Sequence, residues 1–247
     1  CTDTTAFSIN APLPLSTTVT ATPPTCNGGC NGSATVTVTG GTSPYTIAWS
    51  PNFCTDCPVA SNLCEDTYTI IVSDSNGCTD PQILVLPEPI IISPNTVFTL
   101  PVCSLDCNGV IASTPSGGNG APYTFTWTTA GTVTSTTTSS TNSGLCSGTY
   151  TLIINDSLGC ADTTTHVLSD PTGLSMTASS TPASCGQSNG SIIITGTTGT
   201  GTVSVNWLNP TICGPSLTCN NLTFGVYSFE LTDANGCKDT FNVGVNN

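Results

Sequence analysis

Three times along this chain the same landmarks return in the same order, about eighty residues apart, so whatever folds must be built from a unit of that size. Each copy closes with a tyrosine and, ten residues later, a cysteine: Asp66-Thr67-Tyr68 through Asn76-Gly77-Cys78, Gly148-Thr149-Tyr150 through Leu158-Gly159-Cys160, and Gly225-Val226-Tyr227 through Asn235-Gly236-Cys237. Upstream of each stand a cysteine (Cys26, Cys103, Cys185), an Asn-Gly pair (Asn31-Gly32, Asn108-Gly109, Asn189-Gly190) and a tryptophan (Trp49, Trp127, Trp207). Cys1 matches the closing cysteine of a preceding copy, so the native protein is expected to extend further towards its N-terminus. These landmarks divide the chain into the end of a preceding repeat at 1–10, repeat 1 at 11–89, repeat 2 at 90–171 and repeat 3 at 172–247.

Within a copy the apolar period is two. Ala34, Val36 and Val38 alternate with Thr35, Thr37 and Thr39, and Tyr227, Phe229 and Leu231 alternate with Ser228, Glu230 and Thr232, the pattern of strands with one buried face. Eighteen prolines, twenty-four glycines and abundant Thr, Val and Ile oppose helices. Further strands are expected near 15–22, 45–49, 82–86, 122–128, 133–139, 163–168, 191–196, 202–207 and 240–245. Six or seven strands per unit predict an all-β chain of three tandem immunoglobulin-like sandwiches, with the Trp in the core and the Tyr as a tyrosine corner. The same aromatics could instead form a sugar-binding platform, but one per unit at a fixed register favours the core. Asp74-Ser75-Asn76-Gly77, Asp156-Ser157-Leu158-Gly159 and Asp233-Ala234-Asn235-Gly236 read as hairpin turns, since one carboxylate per loop is far short of a calcium shell. Short joints at Pro12-Leu13-Pro14, Pro87-Glu88-Pro89 and Asp170-Pro171 leave little freedom in φ, so the array is expected to be a stiff rod.

Fifteen cysteines place the chain in an oxidising compartment outside the cell, where small sandwiches with little core gain stability from disulfides. Cys30 and Cys107 follow the first cysteine of their copies, and Cys64 and Cys146 precede the tyrosine; copy three has Ser188 and Thr223 in those places. Joint loss implies that these positions bond each other, Cys30 with Cys64 and Cys107 with Cys146. By elimination Cys26 then pairs with Cys78, Cys103 with Cys160, and Cys185 with Cys237, while Cys54 with Cys57 and Cys213 with Cys219 form local bridges and Cys1 is left over. Cys54-Thr55-Asp56-Cys57 lacks the second pair that a zinc site needs and any basic neighbour that would activate a thiol, so a structural bridge is the expected role.

One basic residue, Lys238, stands against fourteen acidic ones, which leaves nothing to neutralise a phosphate backbone or to dock on an anionic membrane. With only 6% charged residues, solubility must come from Thr, Ser, Asn and Gly. No apolar run approaches the roughly 20 residues of a membrane span. Catalytic chemistry has little to work with: His166 is the sole histidine, set in a Thr-rich strand of one copy, where a solvated position is expected. Glutamates occupy no repeated position, Gly40-Gly41 and Gly117-Gly118-Asn119-Gly120 precede strands instead of helices, and a lone Lys238 cannot supply one isopeptide per unit. The chain is expected to be no enzyme and to need no metal or cofactor.

The run Cys26-Asn27-Gly28-Gly29-Cys30-Asn31-Gly32, then Gly40-Gly41-Thr42-Ser43-Pro44-Tyr45 with Trp49, then Tyr68 to Asp74-Ser75-Asn76-Gly77-Cys78, resembles the SprB repeat. Copy two departs in Gly117-Gly118-Asn119-Gly120-Ala121-Pro122-Tyr123, and copy three in Val203 where the tyrosine would be. That family occurs in very long surface proteins of Bacteroidota, some of them gliding-motility adhesins exported by the type IX pathway. The resemblance implies the stalk of a cell-surface adhesin whose partners are neighbouring repeats of the same chain. An alternative is a subunit of a self-assembling extracellular filament, with identical chains as partners, favoured by low charge and by Ile71 and Ile153 on outward strand faces. A third is a carbohydrate-binding module with surface glycans as partners. Asp3-Thr4-Thr5, Asp156-Ser157-Leu158 and Asp162-Thr163-Thr164 match the pattern on which bacteria of that group attach O-glycans, making Thr4, Ser157 and Thr163 candidate glycosylation sites.

Overall fold

The computed structural model describes residues 5, 13–51, 54, 56–128, 131–209 and 213–247, and these form strands, turns and no α-helix. Repeat 1 contains β1 (Ser16–Thr22), β2 (Gly32–Thr39), β3 (Thr46–Ser50), β4 (Val59–Leu63), β5 (Asp66–Ser73) and β6 (Thr79–Leu86). They make two three-stranded antiparallel sheets, ordered β1-β2-β4 and β3-β5-β6. The alternation seen in the sequence is what joins them: Ala34 and Val36 of one sheet and Ile47, Trp49, Tyr68, Ile70 and Val72 of the other are buried against each other while the intervening threonines face water.

Repeat 2 contains β7 (Ile92–Ser93), β8 (Thr96–Thr99), β9 (Gly109–Ser113), β10 (Ser116–Gly117), β11 (Thr124–Trp127), β12 (Thr132–Ser135), β13 (Ser140–Leu145), β14 (Gly148–Asn155) and β15 (Ala161–Leu168). Its sheets are ordered β12-β13-β9-β8 and β11-β14-β15, with a short β10-β7 ladder. Pro94 and Pro115, which cannot donate to a ladder, break what is one continuous hairpin in repeat 1 into the β7-β10 and β8-β9 pieces. The strand expected at 133–139 stops at Ser135, because Thr136 turns back onto Ser139 and starts a hairpin into β13. Repeat 3 contains β16 (Ser175–Thr181), β17 (Gly190–Thr198), β18 (Ser204–Asn209), β19 (Thr218–Leu222), β20 (Gly225–Thr232) and β21 (Lys238–Val245), again two three-stranded sheets, β16-β17-β19 and β18-β20-β21. Phe229 and Leu231 are fully buried there, with the Trp207 ring 4.9 Å from that of Phe229. The chain is thus a tandem series of immunoglobulin-like sandwiches.

The residues gather into two compact units. One comprises Cys1–Pro94, Pro115–Thr124 and Ile154–Asp162; the other comprises Asn95–Thr114, Phe125–Ile153 and Thr163–Asn247. In each, a cystine joins the loop that follows the first strand of one repeat to the closing hairpin of the next: Cys26 with Cys160 in the first unit, Cys103 with Cys237 in the second.

The expected pairs Cys26 with Cys78, Cys103 with Cys160 and Cys185 with Cys237 are therefore corrected, and strand geometry gives the reason. The Cys26 loop lies where Gly32 meets Leu63, at the end of the sandwich where β5 begins. Cys78 follows the turn where β5 ends, at the opposite end beside Thr42. Eight strand residues at about 3.3 Å each put the two ends roughly 26 Å apart, whereas a disulfide needs Cα atoms within about 7 Å. Cys185 and Cys237 are separated in the same way by β20. Cys30 is bonded to Cys64, Cys107 to Cys146 and Cys213 to Cys219.

Cys54 and Cys57 are not joined, a further correction to the expected pairs. Asp56 between them, at φ 57°, donates its N–H to the Ile47 carbonyl at 2.9 Å and accepts the Ile47 N–H on its carboxylate at 3.0 Å. The Cys57 carbonyl accepts the Trp49 indole N–H at 3.1 Å. The segment is thereby pinned along β3, with burial first and the neighbouring Cys57 second pushing the Cys54 thiol up to about 11.

Candidate functional site: the cystine clasps between successive repeats

Each clasp has a loop half and a hairpin half. The loop half begins with the repeated cysteine and is closed by the asparagine of the Asn-Gly landmark. Asn31 accepts the Thr25 N–H at 2.9 Å, Asn108 the Val102 N–H at 2.8 Å and Asn189 the Ser184 N–H at 2.8 Å. The glycine beside each asparagine is needed because a Cβ there would lie 2.8 Å from the Leu63 carbonyl oxygen, 2.9 Å from that of Leu145 or 3.0 Å from that of Leu222.

The hairpin half is organised by the buried aspartate of the Asp-x-x-Gly-Cys turn. Asp74 accepts the N–H groups of Asn76 and Cys78 on Oδ1, each at 2.9 Å, and that of Thr42 on Oδ2 at 3.0 Å. Asp156 does the same for Leu158 and Cys160, and for the backbone and side-chain amides of Asn119. Asp233 holds Asn235, Cys237 and Thr200. Burial pushes the Asp74 and Asp156 carboxyls up, yet the backbone donors outweigh it and all three lie below the ordinary carboxylate value; for Asp233 the Thr200 N–H is the largest cause. Every carboxylate oxygen is thus turned onto the protein's own amides, which is the chemistry of a turn staple and not of a calcium loop. Gly77, Gly159 and Gly236 take φ of 84°, 86° and 83° to let the chain turn there.

The two halves meet in equivalent ways. The Cα atoms are 5.4 Å apart in Cys26–Cys160 and 5.5 Å in Cys103–Cys237, with the same sequence separation of 134. Beside the first bond the Asn119 amide donates to the Thr25 carbonyl at 2.9 Å; beside the second the Asn235 amide donates to the Val102 carbonyl at 3.3 Å. The joints also contribute: Asn27 donates to the Pro89 carbonyl at 3.1 Å, and Asp170 accepts from Ser104 and from the Leu105 N–H at 3.4 Å. Neither Asn119 nor Asn235 stands out in one copy alone. Their signal is positional, since each sits in one of the two turns that the aspartate holds together.

The remaining singled-out residues have structural surroundings. Trp49 and Trp207 are buried and Trp127 half-buried, each indole N–H donating, to Cys57, Ser216 and Ser140 respectively. Tyr68, Tyr150 and Tyr227 donate to the carbonyls of Cys64, Cys146 and Thr223, the tyrosine corner in all three copies. His166, expected in solvent, is half-buried against the Phe98 ring with centroids 5.6 Å apart, because β8 and β15 bring those two side chains together. Lys238 pairs with Glu230 at 2.7 Å. Ser157 is exposed with its hydroxyl donating to the Asn119 carbonyl, Thr163 is exposed on β15, and Thr4 lies outside the described residues. Among the described residues no group of three or more His, Cys, Asp or Glu is arranged to hold a metal ion.

A family model described as the SprB repeat matches residues 18–52. No curated protein matches the sequence. Among solved structures the chain is similar to the eight N-terminal immunoglobulin domains of Down Syndrome Cell Adhesion Molecule (12% identity over 93% of this chain and 43% of that one, TM-score 0.40). It is also similar to immunoglobulin domains 1–5 of Sidekick-1 (10% identity, 96% and 59%, TM-score 0.36) and to a three-immunoglobulin variant segment of titin (13% identity, 96% and 99%, TM-score 0.37). The chain spans less than two thirds of the length of the first two.

Proposed function

We propose, from the match of the SprB-repeat model to residues 18–52, that the chain is a structural segment of an extracellular, surface-exposed adhesin, holding a binding region away from the cell without catalysing a reaction. The observation that carries this reading is the clasp: the same covalent bond made twice between successive repeats, a device suited to keeping a tandem array together in an oxidising medium. A surface of Thr, Ser and Asn with 6% charged residues fits the same setting. Export by the type IX pathway, a part in gliding and O-glycans on Ser157 and Thr163 are finer proposals that rest on the family resemblance.

Brief proteinase K treatment of intact cells of the native host tests it. Peptides from all three repeats should appear in the supernatant while a cytosolic marker stays inside, and intact peptides carrying Ser157 and Thr163 should show excess mass. Recovery of the repeats only after lysis would overturn the reading.

A further inference from the structure

Among the described residues two halves of a clasp stand outside any clasp bond. Among the described residues Cys78 and Cys185 are exposed thiols outside any disulfide. Cys78 occupies the place that Cys160 and Cys237 hold in the bonded hairpins, and Cys185 the place that Cys26 and Cys103 hold in the bonded loops. Both halves are built as in the finished clasps. The Cys78 N–H donates to Asp74 at 2.9 Å, as Cys160 does to Asp156 at 2.9 Å and Cys237 to Asp233 at 3.0 Å. Asn189 closes the Cys185 loop through the Ser184 N–H, as Asn31 and Asn108 close theirs. The side chain that would lie beside the sulfurs is present too, since Asn76 stands where Asn235 does, and the Ser184 carbonyl stands where those of Thr25 and Val102 accept an amide.

We propose that Cys78 and Cys185 are the open ends of a directional, head-to-tail disulfide series: Cys185 bonds the closing hairpin of another repeat of this kind, and Cys78 bonds the opening loop of another. The partner cysteine comes from a second copy of the chain or from a further repeat of one polypeptide; the bond is the same. Its formation needs an oxidant, a small-molecule disulfide such as oxidised glutathione. The Cys185 thiolate attacks that disulfide and releases one thiol; the thiolate of a hairpin cysteine then attacks the Cys185 sulfur of the mixed disulfide and releases the second. Two protein thiols lose two protons and two electrons, and one glutathione disulfide becomes two thiols.

The bond predicts a pairing rule that nonspecific oxidation does not obey. In a background with Cys1, Cys54 and Cys57 replaced by serine, Cys78→Ser and Cys185→Ser proteins are incubated with oxidised glutathione separately and mixed. Each alone should remain monomeric, the mixture should give severalfold more disulfide dimer and nothing larger, and the parent with both thiols should form a ladder. Peptide mapping of the dimer should find Cys185 joined to Cys78. Equal dimerisation of either variant alone, or links between two Cys78 or two Cys185, would overturn the proposal. Because both thiols are exposed, alkylating the unsubstituted protein with N-ethylmaleimide beforehand checks the result without mutation and should abolish the ladder. Protein from the native host separates the two sources: multiples of 25.0 kDa that collapse on reduction indicate second copies. A long chain whose size survives reduction, with Cys185 linked to another Gly-Cys hairpin, indicates further repeats. Cys78 and Cys185 recovered there as free thiols would overturn the proposal. The adhesin reading would survive that failure, since it rests on the two clasps already formed.

Discussion

Asp74, Asp156 and Asp233 each satisfy amides from two separate turns, so a single side chain decides whether the closing hairpin of a repeat is held in place. Their carboxyls lie below the ordinary 3.8 in the folded chain, and this gives the pH dependence its sign. A folded value below the unfolded one contributes stability that is fully present above the unfolded value and is lost as pH falls through the folded value. Thermal midpoints should therefore be flat from neutrality to about pH 5 and fall steeply below about pH 4, where the three carboxyls protonate in the unfolded chain first. Asp233→Asn should lower the neutral-pH midpoint and flatten the acid limb when followed by Trp207 fluorescence; an acid limb unchanged by that substitution would remove aspartate protonation as its cause. The role was half legible beforehand. One carboxylate per loop favoured a hairpin turn over a calcium loop, but nothing local to residues 233–237 announces that Thr200, more than thirty positions upstream, is the third donor.

At the level of elements, strands with strict alternation such as β2 and β20 were readable from the sequence, whereas β8, β9 and β16 were not named and neither were the irregular β4, β13 and β19. β4, β13 and β19 carry a register shift, with Asn62 at φ 60°, Gly144 at 71° and Asn221 at 60°, and this bulge swings Leu63, Leu145 and Leu222 into the core. A bulge breaks the period of two, so a search for alternation passes over Val59-Ala60-Ser61-Asn62-Leu63. The recurring Asn-Leu, Gly-Leu and Asn-Leu just ahead of the tyrosine is the signal that aligning the copies could have found. The bulge also explains the invariant place of the Asn-Gly landmark, whose glycine lies under the bulge leucine's carbonyl. Gly190→Ala should accordingly destabilise repeat 3 by about 1–3 kcal/mol, since the new Cβ would lie 2.6 Å from Val245 and 3.0 Å from the Leu222 carbonyl oxygen. Gly244→Ala, with nothing within 4 Å, should stay within about 0.5 kcal/mol in urea titrations. Equal losses at the two positions would mean that close approach is not what requires the glycine.

For the molecule as a whole, the sequence located every cysteine and still misdirected the long bonds. The joint absence of two cysteines in copy three identified Cys30 with Cys64 and Cys107 with Cys146, but elimination then assumed that each repeat closes on itself. The means to reject that assumption was available: Cys26 lies four residues from Cys30, hence near Cys64, and β5 carries the chain the full length of the sandwich before Cys78. In the chain-entropy account a 134-residue loop contributes about 5 kcal/mol and the 34-residue Cys30–Cys64 loop about 4. Cys26→Ser should therefore lower stability by an amount comparable to Cys30→Ser, and non-reducing peptide maps should link 26 to 160 and 103 to 237. A map that linked 26 to 78 would refute the clasp. The interleaving of the two bonds also has a mechanical side. Three stretches of backbone, 26–103, 103–160 and 160–237, each connect the bridge at 26 and 160 to the bridge at 103 and 237. A pull along the molecule is shared among all three, and its extension ends when the shortest, 103–160, is drawn taut, so a load that would unravel an ordinary string of sandwiches one by one stops here until the sulfur bonds are reduced.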